Sequence, residues 1–378
     1  MRILKNKTDF DFIGKRRIAV FISSVLNLAV LIGIAVFGFN WGVDFAGGTL
    51  VEVKFNTPQT AEQVRERVAA IGDASVQSIG SEEENSFLIR LGGMTQLTEE
   101  TRDLAKKSLE PFGLTSFIAQ LDNGLINLRT KERVDPVRLR EAVQGSGTGV
   151  NEVRSLGEVQ GGGFEYQVVA SGMADRIVEV LSANGQADFQ VQRVDYVGPQ
   201  VGRQLRNKGI MALVYALIGI GVYVAFRFDF KFGPGALVAL LHDLVMTAGY
   251  YLVTRREFNL TSIAVLLTVV GYSTNDTIVI YDRIREVSGK AHGKSLAELI
   301  NTSINETLAR TLLTSFITLL SLTGLLIFGV GEIFDFAAAM VVGLLVGVYS
   351  TVYVASPMTI WIDQRRSRRG AATEKLAA

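Results

Sequence analysis

LTSIAVLLTVVGYSTNDTIVIYDRIRE, residues 260–286, is a membrane-length apolar run with an aspartate, Asp276, inside its last turns. An ionised carboxylate in such a place costs on the order of 2.5–3.5 kcal/mol on insertion scales. Either a partner offsets that cost or the group spends part of its time protonated. Ser273, Asp276 and Thr277 stand at i, i+3 and i+4, so they share one helix face, while Asn275 is expected to point elsewhere. Polar residues of this kind can serve merely as interhelical glue. Ionisable ones inside a membrane are more often functional, and Asp276 is read that way.

The same apolar texture recurs along the chain. The sequence has 378 residues, 48% of them hydrophobic, gathered into blocks near membrane-span length. Spans are expected at 18–39, 209–226, 235–253, 260–281, 312–328 and 334–360. The first is too long for a signal-peptide core and lacks a small-x-small cleavage site, so it is kept as a span. Arg2, Lys5, Lys7, Lys15, Arg16 and Arg17 precede it, which places that end in the cytoplasm. Arg227/Lys231, Arg283/Arg285/Lys290/Lys294 and Arg365/Arg366/Arg368/Arg369 then also fall inside, with Arg255 and Arg256 as the exceptions. Both termini (1–17 and the basic tail 362–378) are thus expected in the cytoplasm, and 41–208 outside. A net charge of +1 gives no reason to expect a nucleic-acid partner, and the absence of cysteine removes disulfides and thiolate metal sites.

The outer segment alternates strand and helix patterns. LVEVKF, AEQVRERVAAIG, SVQSIG, SFLIRL, TEETRDLAKKSLEPFG and LTSFIAQL read as βαββαβ. The order restarts with LINLRT, DPVRLREAVQ, VNEVRSL, FEYQVVA, MADRIVEVLSANG and DFQVQRVDYV. Two ferredoxin-like copies are therefore expected, at 50–121 and 125–197, with one larger α+β domain as the alternative. The fold class is a polytopic helical membrane protein carrying this α+β domain between its first and second spans. The glycine-rich GGGFEY reads as a hairpin turn and has no phosphate-loop spacing.

The fifth span offers Asp276 a partner. Thr307, Thr311, Thr314, Thr318 and Ser321 recur at four- and three-residue steps down one side, and Arg310 sits at the cytoplasmic end. A guanidinium near Asp276 would favour the charged carboxylate and desolvation the protonated one, a balance suited to proton exchange. Snorkelling to headgroups is the plainer role for Arg310. The third span holds His242 and Asp243, a histidine being a natural proton relay. As neighbours on a helix they should diverge from any one site. Gly343 and Gly347 form GxxxG, a close-packing signal. HExxH is absent, and GYSTND is not the GxGD of intramembrane aspartyl proteases, so no enzyme activity and no metal or other cofactor is expected.

GVDFAGGT (42–49), VDYVGPQVGRQL, the HD pair, GYSTNDTIVIYDRIRE and TLARTLLTS follow one another in an order that resembles the SecF family of the bacterial protein-export apparatus, related to the RND proton-driven transporters. Gly42, Asp44, Gly47, Gly48, Gly271, Asn275, Asp282 and Arg283 belong to the matching motifs. The resemblance covers the whole membrane part. It implies an inner-membrane location, a SecD partner with six further spans, and action on chains emerging from SecYEG, with YajC, YidC and membrane lipids as neighbours. It also implies protons as the coupling ion and places the family's intramembrane aspartate and arginine on Asp276 and Arg310. The outer region departs from the family pattern, which carries one small ferredoxin-like domain where this chain has room for two. Two other roles fit the same features: a translocon scaffold that moves no protons, and an RND-type exporter of lipid or small molecules.

Overall fold

The computed structural model describes residues 8–365 except 73, 80–84, 93, 94, 96, 122, 123, 160, 161, 183–187, 229–231 and 290–292. Arg2, Lys5, Lys7, Lys231, Lys290, Arg366, Arg368, Arg369 and Gly161 of the GGGFEY turn therefore lie outside the described residues. In chain order the elements are α1 (Arg16–Phe37), α2 (Val43–Ala46), β1 (Gly48–Phe55), α3 (Ala61–Val68), β2 (Ala74–Ile79), β3 (Ser86–Leu91), α4 (Glu99–Leu109) and β4 (Leu114–Gln120). They continue with β5 (Leu125–Thr130), α5 (Pro136–Gln144), β6 (Val150–Glu158), β7 (Phe164–Ala170), α6 (Met173–Ser182) and β8 (Phe189–Val197). The rest is helical: α7 (Pro199–Arg227), α8 (Gly233–Thr254), α9 (Leu260–Ser288), α10 (Leu296–Phe328) and α11 (Glu332–Ser350). The last runs through a π-helical turn, Thr351–Ala355, and its helical span reaches Arg365.

Gly42–Arg206 forms one compact unit and the six long helices the other. Within the first, the element order is βαββαβ twice. Strand pairing, however, does not respect the bounds 50–121 and 125–197. One antiparallel sheet has the order β2-β3-β1-β8 and the other β4-β5-β7-β6. Each is a complete ferredoxin-like order, but the closing strand of each sequence copy sits in the other's sheet. The helices follow their strands. Ala174, Ile177 and Leu181 of α6 join Val64 and Val68 of α3 over β1, β2 and β3. Ala105 and Leu109 of α4 join Leu139 and Val143 of α5 over β5, β6 and β7. The second half-domain, 97–170, is thus nested between β3 and α6 of the first. Local signals alone could not show this, because the two copies present equivalent apolar faces for the same strands to choose from.

Local chemistry explains the element ends. Thr60 and Thr98 cap α3 and α4 through capping boxes, and Asp135 caps α5 ahead of Pro136. Gly113, in the left-handed region at φ 72°, ends the short turn after α4. At the start of β1, Gly48 has φ 133°, and a Cβ there would strike the Leu91 carbonyl oxygen of β3. Nearby, loss of water around the half-buried Arg90 guanidinium pulls its pKa down to about 10, a shift that Asp44 opposes.

The six expected spans are all present as helices long and apolar enough to cross a membrane. The fifth begins at Leu296 rather than 312, where Ser295 and Glu298 form a capping box. Its polar first turns hid it from a hydropathy reading. Those turns bind the N-terminal segment: Asn305 Oδ1 accepts from Phe10 N at 2.9 Å, Asn301 Oδ1 accepts from Phe12 N at 2.9 Å, and both side-chain amides donate to Phe10 O. The two arginines that broke the charge asymmetry also have local partners. Arg255 donates to Gly38 O at 2.9 Å beyond α1, and Arg256 pairs with Asp335 and lies over the Phe334 ring.

The nested topology predicts which fragment folds alone. Residues 92–172, which hold a complete core, should give a cooperative thermal transition with mixed helix and sheet circular dichroism, while residues 48–121 should not. A folded 48–121 beside an unfolded 92–172 would refute the nested assignment.

Candidate functional site in the helical unit

The site is built where α8, α9 and α11 cross. Helix α11 comes close to α9 because Gly343 and Gly347 face it: a Cβ on Gly347 would lie 3.3 Å from Ser273 Cβ, and one on Gly343 would crowd Val269 and stand 3.1 Å from Thr247 Oγ1 of α8. The close-packing role expected of this GxxxG pair is met.

Into that crossing α8 projects Asp243, which is 0% exposed. Its Oδ2 accepts from Ser273 Oγ of α9 at 2.5 Å and from Ser350 Oγ of α11 at 2.8 Å. His242 Nδ1 lies 3.0 Å from Oδ1. The expected divergence of His242 and Asp243 therefore does not hold. Their side chains bend toward each other, although the Cα–Cβ bonds diverge, and Asp243 reaches α9 through Ser273. His242 also packs near the Tyr349 ring, at 6.1 Å, and Tyr349 Oη lies 2.9 Å from Ser23 Oγ of α1.

The π-helical turn begins next to a further contact between α11 and α9. Ser350 ends α11 at its junction with that turn, and the next residue, Thr351, lies 3.2 Å from Thr277 Oγ1 of α9. Consecutive hydroxyls thus serve two helices, Ser350 the Asp243 carboxylate of α8 and Thr351 the Thr277 hydroxyl of α9. Neither Ser350 nor Thr351 stood out in the sequence. The signal that could have found them is the hydroxyl pair SerThr, separated by two residues from the second glycine of GxxxG.

Asp276 is one turn along α9 from Ser273. It is 8% exposed and lines a cavity of about 320 Å³ with Ser273, Asn275, Thr314, Ser315 and Thr318. Gly343, Gly347 and Tyr272 complete part of its wall. Asn275, expected to point away, also lines this cavity. Thr277 does not; it is committed to Thr351. Thr307 is buried elsewhere on α10 and donates to Ser303 O at 2.8 Å. The polar stripe is satisfied along its own helix, with Thr314 donating to Arg310 O at 3.1 Å, Thr318 to Thr314 O at 3.0 Å and Ser321 to Ile317 O at 3.1 Å. Thr314 and Thr318 therefore offer the cavity acceptor lone pairs rather than free donors.

Arg310 is exposed, and among the described residues it forms no ion pair with Asp276 within 4.0 Å. The two charges act on each other through space instead. At the end of α9, Asp282 reaches Arg227 at 3.5 Å, and Arg283 bridges Glu286 and Glu306 (2.6 Å to the latter). Both lie in exposed surroundings, outside the cavity lining. Gly271 faces open space. Gly42, Asp44, Gly47 and Gly48 belong to the other unit, where Gly42 caps α2. Among the described residues no cluster of three or more metal-ligating acidic or histidine side chains occurs.

The geometry can therefore hold an acidic group in a mainly apolar hollow between α9, α10 and α11, with a few hydroxyls beside it and a second carboxylate nearby that ties three helices together. Removing Ser273 and Ser350 hydroxyls should show that brace. In a double-mutant cycle of Ser273→Ala and Ser350→Ala, measured by equilibrium unfolding in bicelles, each change should cost roughly 0.6–2 kcal/mol, and the pair should be non-additive. Strictly additive losses below the measurement error would mean that the shared acceptor Asp243 couples nothing.

Comparison with known proteins places these features in a family. The family model "Protein export membrane protein SecD/SecF, C-terminal" matches residues 177–365, and "SecD/SecF GG Motif" matches residues 32–59. Protein translocase subunit SecF of Calditerrivibrio nitroreducens is 35% identical over 97% of this chain and 99% of its own. That of Magnetococcus marinus is 35% identical over 98% of each. A crystal structure of SecDF, a translocon-associated membrane protein from a Thermus species, superposes with a TM-score of 0.64 at 28% identity over 96% of this chain. A SecDF structure in a super-membrane-facing form gives 0.59 at 28% identity over 98%. This chain spans 40–41% of the length of those two SecDF chains.

Proposed function

This chain belongs to the SecD/SecF family of protein-export membrane proteins, and from that premise we propose that it works as the proton-coupled subunit of a SecD/SecF complex, assisting translocation of polypeptides across the bacterial inner membrane. The observation that carries the coupling is Asp276, a buried carboxylate lining a mainly apolar cavity between membrane helices, within electrostatic reach of Arg310. SecD is the direct partner. SecYEG, with YajC and YidC, is the machinery whose emerging chain the complex serves, and both termini lie in the cytoplasm.

A proton enters the cavity past Thr318, Thr314 and Ser273 and binds a carboxylate oxygen of Asp276. Protonation cancels the attraction to Arg310 and leaves a neutral group that α9 can carry at lower cost. Asp243, held by Ser273 and Ser350, keeps α8, α9 and α11 moving as one body. The change in α9 is therefore delivered against α10 rather than dissipated within the bundle. The β-rich segment, joined by the chain to α1 and α7, takes up the resulting shift. Each charge crossing the field supplies about 2.3 kcal/mol per 100 mV, enough to bias a two-state element whose minor form is populated at a few per cent.

Proton flux into vesicles that contain this protein with its SecD partner is the direct test. Asp276→Asn should abolish the flux of the wild type while the complex still assembles. Equal flux in both, or export that continues without any flux under an imposed gradient, would leave Asp276 as helix glue and the protein as a scaffold. Flux that depends on an added lipid or small molecule rather than on an unfolded chain would favour an exporter.

A further inference from the structure

The two sheets of Gly42–Arg206 present four edge strands, β2, β8, β4 and β6. An open edge invites pairing with another chain, and proteins commonly blunt it with charges, bulges or covering groups. Three of the four are blunted here. A carbonyl of β2, on Val76, accepts from Arg65 Nη2 at 3.4 Å. Strand β6 carries two register shifts, an Arg154–Glu152 ion pair at 2.7 Å and an Arg140 guanidinium on the Asn151 carbonyl at 2.7 Å. Strand β8 carries the Arg193–Asp195 pair at 2.7 Å and faces a register shift against β1.

Strand β4 is different. Its sequence, LTSFIAQ, has no charge and no proline. Among the described residues no strand lies beyond it, and no outside donor or acceptor reaches the backbone of residues 114–119. The Thr115 hydroxyl turns inward, to the Arg129 carbonyl of β5 at 3.0 Å. Phe117 and Ala119 pack on the core side, while Ile118 is 59% exposed. The strand keeps a single register shift, near Leu114–Ser116.

We infer that β4 is a docking edge for an extended, unfolded segment of a polypeptide undergoing translocation, which adds to its sheet as a fifth strand. The inference rests on the translocation role proposed above and names where in this chain the client is met. Pairing through backbone N–H and C=O groups is blind to sequence, as a partner of ever-changing sequence requires. An uncharged edge rejects no client by charge. Ile118 supplies one apolar cross-strand contact that favours apolar segments without demanding a particular one. The six residues 114–119 hold roughly 20 Å of extended chain, enough for alternate side chains to be gripped and released.

The test uses the full-length protein with its SecD partner in detergent, with no proton gradient. The probe is a fluorescent, permanently unstructured peptide of alternating apolar and polar residues, and its affinity is read by anisotropy. Ile118→Lys, an edge gatekeeper, should weaken binding on the order of tenfold. Leu156→Lys on the opposite edge β6, also exposed, should not. Thermal transitions in detergent, and proton flux measured separately in vesicles under an imposed gradient, should be unchanged in both. Because the chain has no cysteine, Ile118→Cys gives a unique site, which should cross-link to the peptide. Unchanged affinity in Ile118→Lys, equal loss in Leu156→Lys, or a cross-link that joins two copies of this chain instead would overturn the docking edge. Binding and flux fail separately: a wild type that binds the peptide through β4 but shows no flux refutes the proton reading alone.

Discussion

Asp243 has no contact with solvent, and a carboxylate so placed must find its hydrogen bonds within the protein. That requirement fixes how three helices meet. Ser273 of α9 and Ser350 of α11 converge on one oxygen of a residue from α8, and His242 attends the other. The glycines of α11 are the complement of this arrangement, since a side chain at Gly347 would push Ser273 away from the carboxylate. The π-helical turn follows directly after Ser350, and its first residue, Thr351, serves α9 as well. Small residues set the distance between helices, and the buried charge sets their register.

Asp276 stands on this frame. Its cavity is bounded on one side by the braced helices and on the other by α10, whose hydroxyls are spent on their own backbone. The two acidic groups of α8 and α9 thus have opposite circumstances. Asp243 is saturated with protein donors and has no hollow to receive anything. Asp276 has space beside it and a cation that acts from a distance. Ser273 links the two, standing one turn from Asp276 on α9 while donating to Asp243.

Much of this was legible in the residues. The six spans followed from composition, and the helix and strand order of the outer segment followed from periodicity. Asp276, Ser273 and Thr314 were named for one site and line one cavity. The failures share a cause, which is that a pattern reports an element's face but not which neighbour it will choose. Thr277 and Thr307 have the right spacing and are committed elsewhere. Asn275 lines the cavity despite its helical phase. Arg310 was expected as a direct partner and acts only through space, because α10 carries it on an exposed face. His242 and Asp243 diverge at Cβ yet meet at their tips, since side-chain torsions can undo what backbone phase dictates. Polarity concealed the start of α10, where Asn301 and Asn305 serve the N-terminal segment.

The nested arrangement of the two sheets bears on how the chain is made. During synthesis the inner half has all its strands once β7 emerges, whereas the outer sheet stays without its β8 edge until residue 197. The outer half must therefore hold three strands and one helix unfinished while its sister closes beside it. Its last strand arrives immediately ahead of α7, the second hydrophobic span. Completion of the outer fold and insertion of that span are consequently adjacent events on the growing chain, and a delay in either would leave the other waiting.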